Sequence, residues 1–404
     1  MATPPSACGE CARRAGRTTL AAALRASRAD TLATFDAFRR ALPGLTVPMR
    51  AELNPPLWEL GHVGWFQAYW IARNPQRRLG AAADPDVPRP VGERADADAL
   101  YDSSRVAHDA RWSLPLPDAD ATLADLAEQL ESTLALLADT PEHDQALYFF
   151  RLALCHEDMH HEAALYMAQG LGVPIDDARW QPAPLPAPAD ALEFDAGTWR
   201  LGHDGDGFAF DNELGAHDVA LAPFAIDVQV LRWAEFLPFV DAGGYAQPRW
   251  WSDAGARWLR DSGVQAPRFL RRAGAGWQRW RHGRWVDLDV ALPACHLTLH
   301  EAQAWCAWAG RRLPTEAEWE RAALERPEAL RWGDVWEWTA SAFAPYPGFA
   351  PHPYRDYSAP WFDGRPVLRG ASFATQPRMR HPRYRNYFTA ERNDVFAGLR
   401  TCPA

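Results

Sequence analysis

The sequence is poor in cysteine, in basic residues and in long hydrophobic runs, and each shortage excludes a class of protein. Its six cysteines are spread thinly over 404 residues, which excludes a fold based on disulfides. The formal net charge of -10 argues against binding to nucleic acid or to an anionic membrane. No run of about 18 apolar residues occurs, so we expect no membrane-spanning helix.

The N-terminal segment also lacks the apolar core of a signal peptide. It reads MATPPSACGECARRAGR, and we therefore expect a cytoplasmic protein. Cys8 and Cys11 form an isolated CxxC motif in this segment. A metal or redox site there would need further ligands, and the neighbouring sequence offers none. Residues 1–16 are predicted to be a polar tail.

The residues that are abundant indicate two domains. A chain of 404 residues exceeds one ordinary core, and 48% of its residues are hydrophobic, enough for two cores. Apolar residues recur with helical spacing in four segments, at 17–41, 55–73, 120–139 and 142–172. Their arrangement predicts a four-helix bundle over residues 17–178.

The second half of the chain has a different composition. A proline-rich linker is predicted at residues 179–192, and most of the twenty tryptophans lie beyond residue 230. Short segments typical of strands alternate with two helical segments and with loops rich in Trp, Gly and Pro. The fold class predicted for the chain is therefore α+β with two domains, the second over residues 193–404.

Three histidines interrupt the apolar stripes of the predicted bundle. His156 and His160, within CHEDMHHEAALYMAQ, occupy core-facing positions one turn apart on the fourth helix. His62 lies on the inward stripe of the second helix. Three neutral imidazoles in a bundle core suit Fe(II) or Zn(II).

Other interpretations of this segment stay open at the level of sequence. Each histidine could be hydrogen-bonded inside the core without a metal. His161 points about 100° away from His160, so we expect it at the surface or beside a ligand. Glu162 either orients a ligand imidazole or is exposed to solvent.

Several motifs resemble known families. LWELGHVGWFQ and HEDMHHE resemble the iron site of the DinB-like bundles in ergothioneine-type sulfoxide synthases. The second half resembles the formylglycine-generating-enzyme fold, a C-type-lectin-like domain, through GTWRLG, RLPTEAEWERAA, GDVWEWTASAFAPYPGF, VLRGASFAT and FAGLRTCP. The late stretch RGASFATQPRMRHPRYRN lacks the reactive cysteines of formylglycine-generating enzymes, so we expect this domain to wall the metal site instead.

The resemblance implies a reaction and a cofactor. The family joins C2 of the hercynine imidazole to a sulfur or selenium donor, using O2 and Fe(II), and its motifs imply His62, His156 and His160 as iron ligands. Three protein ligands leave positions at the metal for reactants. The expected partners are small molecules, namely hercynine, a selenosugar or thiol donor, and O2, with neither nucleic acid nor membrane.

The resemblance also implies residues that contact the substrate. Tyr346, in APYPGF, matches a region with an active-site tyrosine, which can pass a proton. Asn386, in YRNYF, matches a position that binds the hercynine carboxylate. Trp338, Tyr387 or Phe349 is expected to face the trimethylammonium group.

The donor is predicted from four further positions. SSRVAHDARWSLPLP resembles the donor-anchoring segment of sulfur-using relatives, and this chain keeps Arg111 and Arg392. It has His108 and Phe388 where those relatives have an arginine and an acid, so gamma-glutamylcysteine would lose charge-assisted hydrogen bonds. Selenoneine synthases use the neutral sugar 1-selenoglucose, and the chain is more similar to them.

We therefore expect formation of a C–Se bond between hercynine and a selenosugar. The main alternative is a hercynine sulfoxide synthase that uses gamma-glutamylcysteine or cysteine. Two further alternatives are a non-enzymatic sugar-binding module and a zinc thiol transferase that needs no O2.

Overall fold

A computed structural model of the chain describes residues 9–92 and 94–404. Cys8 and the first half of the predicted tail lie outside the described residues. The rest of the tail contains a short helix, α1, at Gly9–Arg13, and Arg13 is buried in an ion pair with Glu213. This part of the predicted tail therefore packs on the second half of the chain. In the described ranges no helix combines the length and apolarity needed to cross a membrane.

The first half of the chain forms helices that follow the predicted segments closely. After α1 they are α2 at Arg17–Ala41, α3 at Pro56–Gln67, α4 at Ala97–Tyr101, α5 at Ala119–Ala138 and α6 at Asp144–Leu171. A π-helical turn at Ala68–Ala72 extends α3. Helix α6 ends where Gly172 adopts the left-handed conformation with φ 76°, a conformation that costs glycine little.

The four long helices α2, α3, α5 and α6 pack against one another, with α3 beside both α5 and α6. Their core is largely aromatic, and the rings of Trp70 and Phe149 stack at 5.4 Å. The predicted four-helix arrangement is therefore present, whereas its likeness to DinB-like bundles stays a prediction.

The second half mixes short helices and strands, as predicted. Its helices are α7 at Trp233–Asp241, α8 at Asp253–Ser262, α9 at Leu299–Ala309 and α10 at Glu316–Glu325. Its strands are β1 Leu192–Phe194, β2 Gly197–Leu201, β3 His217–Leu221, β4 Phe224–Ile226, β5 Leu270–Ala273, β6 Gly276–Arg281, β7 Arg284–Asp287, β8 Arg311–Arg312, β9 Val335–Ala342, β10 Pro366–Ala371, β11 Asn386–Tyr387, β12 Ala397–Gly398 and β13 Cys402–Pro403.

The central sheet of the second half has the strand order β11–β10–β9–β12. Strands β9 and β10 are antiparallel, whereas β12 runs parallel to β9. A separate three-stranded sheet, β5–β6–β7, approaches the C-terminal end of α6. There the Gln169 side-chain amide donates to the Trp280 carbonyl oxygen at 2.8 Å.

Helix α6 connects the two halves through buried carboxylates. Glu162 accepts hydrogen bonds from the Trp336 indole at 2.8 Å, the Ser372 hydroxyl at 2.5 Å and the Thr375 hydroxyl at 2.7 Å. Asp158 accepts two bonds from the Arg378 guanidinium, each of 2.7 Å. Both interpretations of Glu162 offered by the sequence are therefore wrong, because its oxygens are buried and bind the second half of the chain.

His161 also differs from its prediction. It is buried rather than at the surface, because its Nε2 lies 3.0 Å from the Thr34 hydroxyl and its ring packs edge-on against Trp180 at 4.9 Å. Trp180 belongs to the predicted linker, which folds back over α6 and covers this position.

We expect Glu162→Ala to lower the free energy of unfolding by about 3–5 kcal/mol, because three buried donors lose their acceptor. Urea unfolding monitored by tryptophan fluorescence measures this change. Glu131→Ala, on the exposed face of α5, is the matched control and should stay within about 0.5 kcal/mol of the unchanged protein. Equal effects of the two substitutions would contradict this account of the interface.

Candidate metal centre

Helices α3 and α6 bring three histidines together at their contact. His62 comes from α3, and His156 and His160 come from consecutive turns of α6. The ring centroid of His62 lies 5.1 Å from that of His156 and 4.8 Å from that of His160. The centroids of the two α6 rings are 4.4 Å apart. One potential ligand nitrogen from each residue lies within 4.8 Å of the other two. The three nitrogens therefore lie close enough together for a small adjustment of the rings to bring them to one ion.

A hydrogen bond engages one nitrogen in each of two rings, whereas the third ring has no hydrogen-bond partner among the described residues. His62 Nδ1 donates to the Tyr101 carbonyl oxygen at 2.8 Å, and His160 Nδ1 donates to Glu59 Oε2 at 2.5 Å. In the neutral form of each of these rings, Nε2 then keeps a free lone pair. His156 is only 2% exposed, yet neither of its nitrogens has a hydrogen-bond partner among the described residues.

This unpartnered ring bears on the choice between a metal site and a metal-free core. A buried polar group without a partner costs about 1–3 kcal/mol, so a hydrogen-bonded core would be expected to satisfy His156. A metal ion would instead satisfy it directly, and would use the free Nε2 atoms of His62 and His160. The residues present therefore fit a three-histidine metal ion.

The electrostatics of the cluster favour the ligand form of histidine. Burial and the neighbouring His160 lower the pKa of His62 to about 3. Burial and the same neighbour hold the pKa of His156 well below its usual value. Both rings are therefore neutral near pH 7, as metal coordination requires. Burial alone would raise the pKa of Glu59, but His160 holds it below its usual value.

Aromatic rings enclose the cluster on the bundle side. Trp58 stacks on His62 at 4.8 Å, and Phe66 stacks on His156 at 3.5 Å with an interplanar angle of 3°. Tyr354, from the second half of the chain, packs edge-on against Phe66 at 5.0 Å and lies 6.2 Å from His156. These rings exclude water from one side of the histidines, and they hold the imidazoles in place.

A polar chain leads from His160 to Arg111. Glu59 Oε1 accepts a hydrogen bond of 2.5 Å from Asn54, whose side-chain oxygen accepts one of 2.8 Å from Arg111. The Arg111 guanidinium also lies 4.0 Å from the centre of the Trp58 ring. Arg111, predicted to bind the donor, is thus held beside the cluster and is coupled through Glu59 to one of its histidines.

The predicted catalytic residue Tyr346 lies in a different environment. Its hydroxyl donates to Glu316 Oε2 at 3.1 Å, its ring lies 3.9 Å from the Arg385 guanidinium, and it packs with Leu201 and Ala317. None of these neighbours belongs to the histidine cluster. Tyr354 is the tyrosine of the same loop that reaches the cluster, and the sequence analysis missed it because the motif APYPGF drew the assignment to Tyr346.

The segment that contains Asn386 approaches α6 next to the cluster. Tyr384 donates a hydrogen bond of 3.3 Å to the sulfur of Met159, the residue before His160. Asn386 and Tyr387 follow as strand β11, and the Tyr387 ring stacks on Phe343 at 4.1 Å. The Tyr384 contact thus places a residue two positions before Asn386 against α6, beside the histidine cluster.

The remaining predicted residues are already engaged with other parts of the protein. Arg392 donates two bonds, of 2.6 and 2.7 Å, to Asp394 and lies 5.0 Å from the Phe388 ring. Trp338 is fully buried in the central sheet and donates to the Leu297 carbonyl oxygen at 2.8 Å. Phe349 packs edge-on against Phe362 at 5.0 Å. Trp338 therefore belongs to the hydrophobic core of the second half.

Comparisons with known proteins cover both halves of the chain. Residues 179–329 and 330–403 match the family described as Sulfatase-modifying factor enzyme 1-like domain. A hercynine oxygenase of Mycolicibacterium smegmatis is 33% identical over 86% of this chain and 90% of its own length. The hercynine oxygenase of Mycobacterium tuberculosis is 32% identical with the same coverage. A formylglycine-generating enzyme of Streptomyces coelicolor is 32% identical over 41% of this chain and 58% of its own length.

The two hercynine oxygenases align across the helical half as well as the second half, so the likeness is not confined to the shared C-terminal domain. With a three-histidine cluster between α3 and α6 and this extent of similarity, the chain belongs to the hercynine oxygenase family and is an oxidoreductase.

Proposed function

We propose that the protein is an Fe(II)- and O2-dependent synthase that joins C2 of the hercynine imidazole to the selenium of a selenosugar such as 1-selenoglucose. The observation that carries the metal part is His156, a buried histidine without a hydrogen-bond partner in the described part of the chain, beside two histidines with free Nε2 atoms. Family membership supports hercynine as the substrate, since the two relatives compared above are named for it.

Formation of the C–Se bond requires an oxidant. Replacing the imidazole C–H and the donor Se–H by one C–Se bond removes two electrons and two protons, and O2 is the electron acceptor. His62, His156 and His160 would hold the iron, which when bound supplies the redox and O2 chemistry that side chains lack. The protein's own contribution is to position both organic substrates at one place and to exclude water.

Tyr354 is proposed to supply a proton at this site. Its ring borders Phe66 and His156, and burial raises the pKa of its phenol. The phenol therefore keeps its proton at neutral pH and can donate it. Tyr346 remains the assignment made from resemblance alone, so the two tyrosines are separated by experiment.

The selenosugar donor is supported by the charges around Arg392 and His108. Arg392 is neutralised by Asp394 and stacks near Phe388. His108 Nε2 lies at 2.8 Å from the Leu53 carbonyl oxygen. Asp394 already takes two of the five N–H groups of Arg392, and a backbone carbonyl engages His108. Both side chains are therefore weaker partners for the carboxylates of a dipeptide-like thiol, whereas a neutral sugar needs no such partner.

The alternative donor, gamma-glutamylcysteine or cysteine, is favoured by one observation. Arg111 retains guanidinium hydrogen-bonding capacity, because its buried Nε has no partner among the described residues. An arginine in this state can receive one carboxylate. The non-enzymatic sugar-binding module does not fit an oxidoreductase family, and the zinc thiol transferase is distinguished by whether turnover persists without O2.

We expect His156→Leu to abolish Fe(II) binding while the metal-free protein keeps or gains thermal stability, because an unsatisfied polar ring becomes apolar. Anaerobic equilibrium dialysis and calorimetry measure the two effects. His161→Leu is the matched control: it removes a buried histidine that has a hydrogen bond, so it should lose about 1–3 kcal/mol of stability and keep Fe(II) binding. If His156→Leu instead destabilises the metal-free protein as His161→Leu does, the metal-free core is correct.

Tyr354→Phe should lower the rate of C–Se bond formation by about 10²-fold, because the proton donor is lost. Binding of hercynine, measured by titration calorimetry, should stay within about twofold, a difference of less than 0.5 kcal/mol. Tyr346→Phe is made in parallel. If the rate falls with Tyr346→Phe and not with Tyr354→Phe, the role belongs to Tyr346 as the resemblance implied.

With saturating hercynine and O2, kcat/KM for 1-selenoglucose should exceed that for gamma-glutamylcysteine by about 10²-fold, since two charge-assisted bonds are missing for the thiol. Product masses from a screen that includes thioglucose and cysteine identify the bond formed. A Phe388→Asp variant should recover part of the activity with gamma-glutamylcysteine. A ratio near one, or one that favours gamma-glutamylcysteine, assigns the protein to the sulfur branch.

A further inference from the structure

A small cavity away from the histidine cluster carries a separate inference. It has a volume of about 50 Å³ and lies between the C-terminal end of α6, the linker segment at 180–182, strands β5 and β6, and the segment at 292–296. Gln169, at its α6 side, is nine residues beyond His160, or roughly 13 Å along the helix axis. None of the three clustered histidines lines it.

The lining of this cavity is basic, although the whole chain is acidic. Arg268, Arg279, Arg281, His282 and His296 contribute to the wall, and no aspartate or glutamate is among the described residues that line it. Arg268 already has an acidic partner, since its guanidinium lies 3.5 Å from Glu52, whereas Arg279 and Arg281 have no carboxylate partner among the described residues. These two cations repel one another unless an anion joins them. The composition of the wall therefore indicates an anionic ligand.

The three arginines of the wall differ in the hydrogen-bond partners that their guanidinium groups have. Arg281 Nε donates to Gln181 at 3.2 Å, and Arg268 donates to Asn393 at 3.0 Å. The Arg279 guanidinium has neither a hydrogen bond nor an ion pair with the side chains that the structure describes, and burial and the nearby Arg281 lower its pKa. Arg279 thus offers its donors to whatever occupies the cavity.

Two histidines of the same wall have a buried ring nitrogen without a hydrogen-bond partner among the described residues. His296 is 8% exposed, and burial lowers its pKa to about 3, so the ring is neutral. Its Nδ1 is buried and has no hydrogen-bond partner in the described ranges. A neutral imidazole that donates through Nε2 presents Nδ1 as an acceptor.

His282 repeats this arrangement. Burial lowers the pKa of its ring to about 4, and its buried Nδ1 is likewise unpartnered within the described chain. Both histidines also adopt positive φ, 64° for His296 and 43° for His282. Non-glycine residues rarely adopt this conformation, so the backbone is strained at these two residues, both of which line the cavity.

The wall therefore offers guanidinium donors together with imidazole acceptors. A ligand that satisfies both must accept hydrogen bonds through anionic oxygens and donate at least one through an O–H group. We propose that this cavity binds a protonated tetrahedral oxyanion, namely inorganic phosphate, which keeps an O–H group at neutral pH. A single water needs roughly 10–15 Å³ of such space, so the cavity has room for one phosphate group.

Binding at this place would join the two halves of the chain. Gln169 of α6 already bonds to the Trp280 carbonyl oxygen, and its side-chain oxygen accepts from the His282 backbone N–H at 3.0 Å. A phosphate held by Arg279, His282 and His296 would lie beside this contact. Phosphate should therefore raise the melting temperature of the whole protein as a saturable function of its concentration.

The test is titration calorimetry of the full chain at pH 7, with ionic strength held constant by chloride. Inorganic phosphate, methyl phosphate and sulfate are compared, because sulfate has the same shape and lacks the O–H donor at this pH. Phosphate is expected to bind saturably and at least about tenfold more tightly than sulfate, since each charged hydrogen bond is worth a factor of this size. Methyl phosphate has a second pKa of about 6 and is mostly a dianion without an O–H group at pH 7, so it is expected to bind about as weakly as sulfate. Binding of methyl phosphate as tight as that of inorganic phosphate would contradict the need for an O–H donor.

Two variants on the same hairpin locate the site. Arg279→Gln should weaken phosphate binding by about tenfold or more, and without phosphate it should melt no lower than the unchanged protein, because it removes a charge repelled by Arg281. Arg272→Gln is the control, since Arg272 pairs with Asp241 on the surface, and it should leave binding unchanged. The proposal is overturned if phosphate does not bind saturably, if sulfate binds equally well, or if both variants weaken binding alike.

Discussion

Helix α6 buries polar side chains on two faces, and the structure depends on the partners that these side chains find on each face. On one face His156 and His160 meet His62 of α3. On another, Asp158 and Glu162 are buried and take up donors from the second half of the chain. Burying any of these groups without a partner would cost free energy. Helix α6 therefore holds the two halves together, and it places the candidate metal centre against a wall that neither half supplies alone.

This constraint gives the site its chemical character. His62 and His156 are neutral because burial lowers the pKa of each ring, and His62 and His160 are oriented through Nδ1 by Tyr101 and Glu59. The polar chain from Glu59 through Asn54 to Arg111 connects an expected substrate-binding arginine to a ligand imidazole. Tyr354 and the segment after Tyr384 close the site from the second half. The helices thus supply the three histidines proposed as metal ligands, whereas the loops of the second half supply the groups proposed to contact and protonate substrates.

The sequence predicted the parts that obey local rules. The helical period located α2 to within a residue at each end, and the spacing of four placed His156 and His160 on one face. Long-range partners escaped prediction, since Glu162 bonds to Trp336, which lies 174 positions away. Tyr354 was missed for the same reason: it lies in a loop without periodicity, and only the fold places it beside Phe66. The basic cavity joins segments from both halves, so no local motif could reveal it.

The central claim is that His62, His156 and His160 bind one iron ion. Iron K-edge X-ray absorption of the anaerobic Fe(II)-loaded protein measures this most directly. The account predicts about three imidazole nitrogens in the first shell, close to the usual metal–imidazole distance of about 2.0–2.2 Å, and the loss of one of them in His62→Ala. A first shell of oxygens alone, or a spectrum unchanged by His62→Ala, would contradict it.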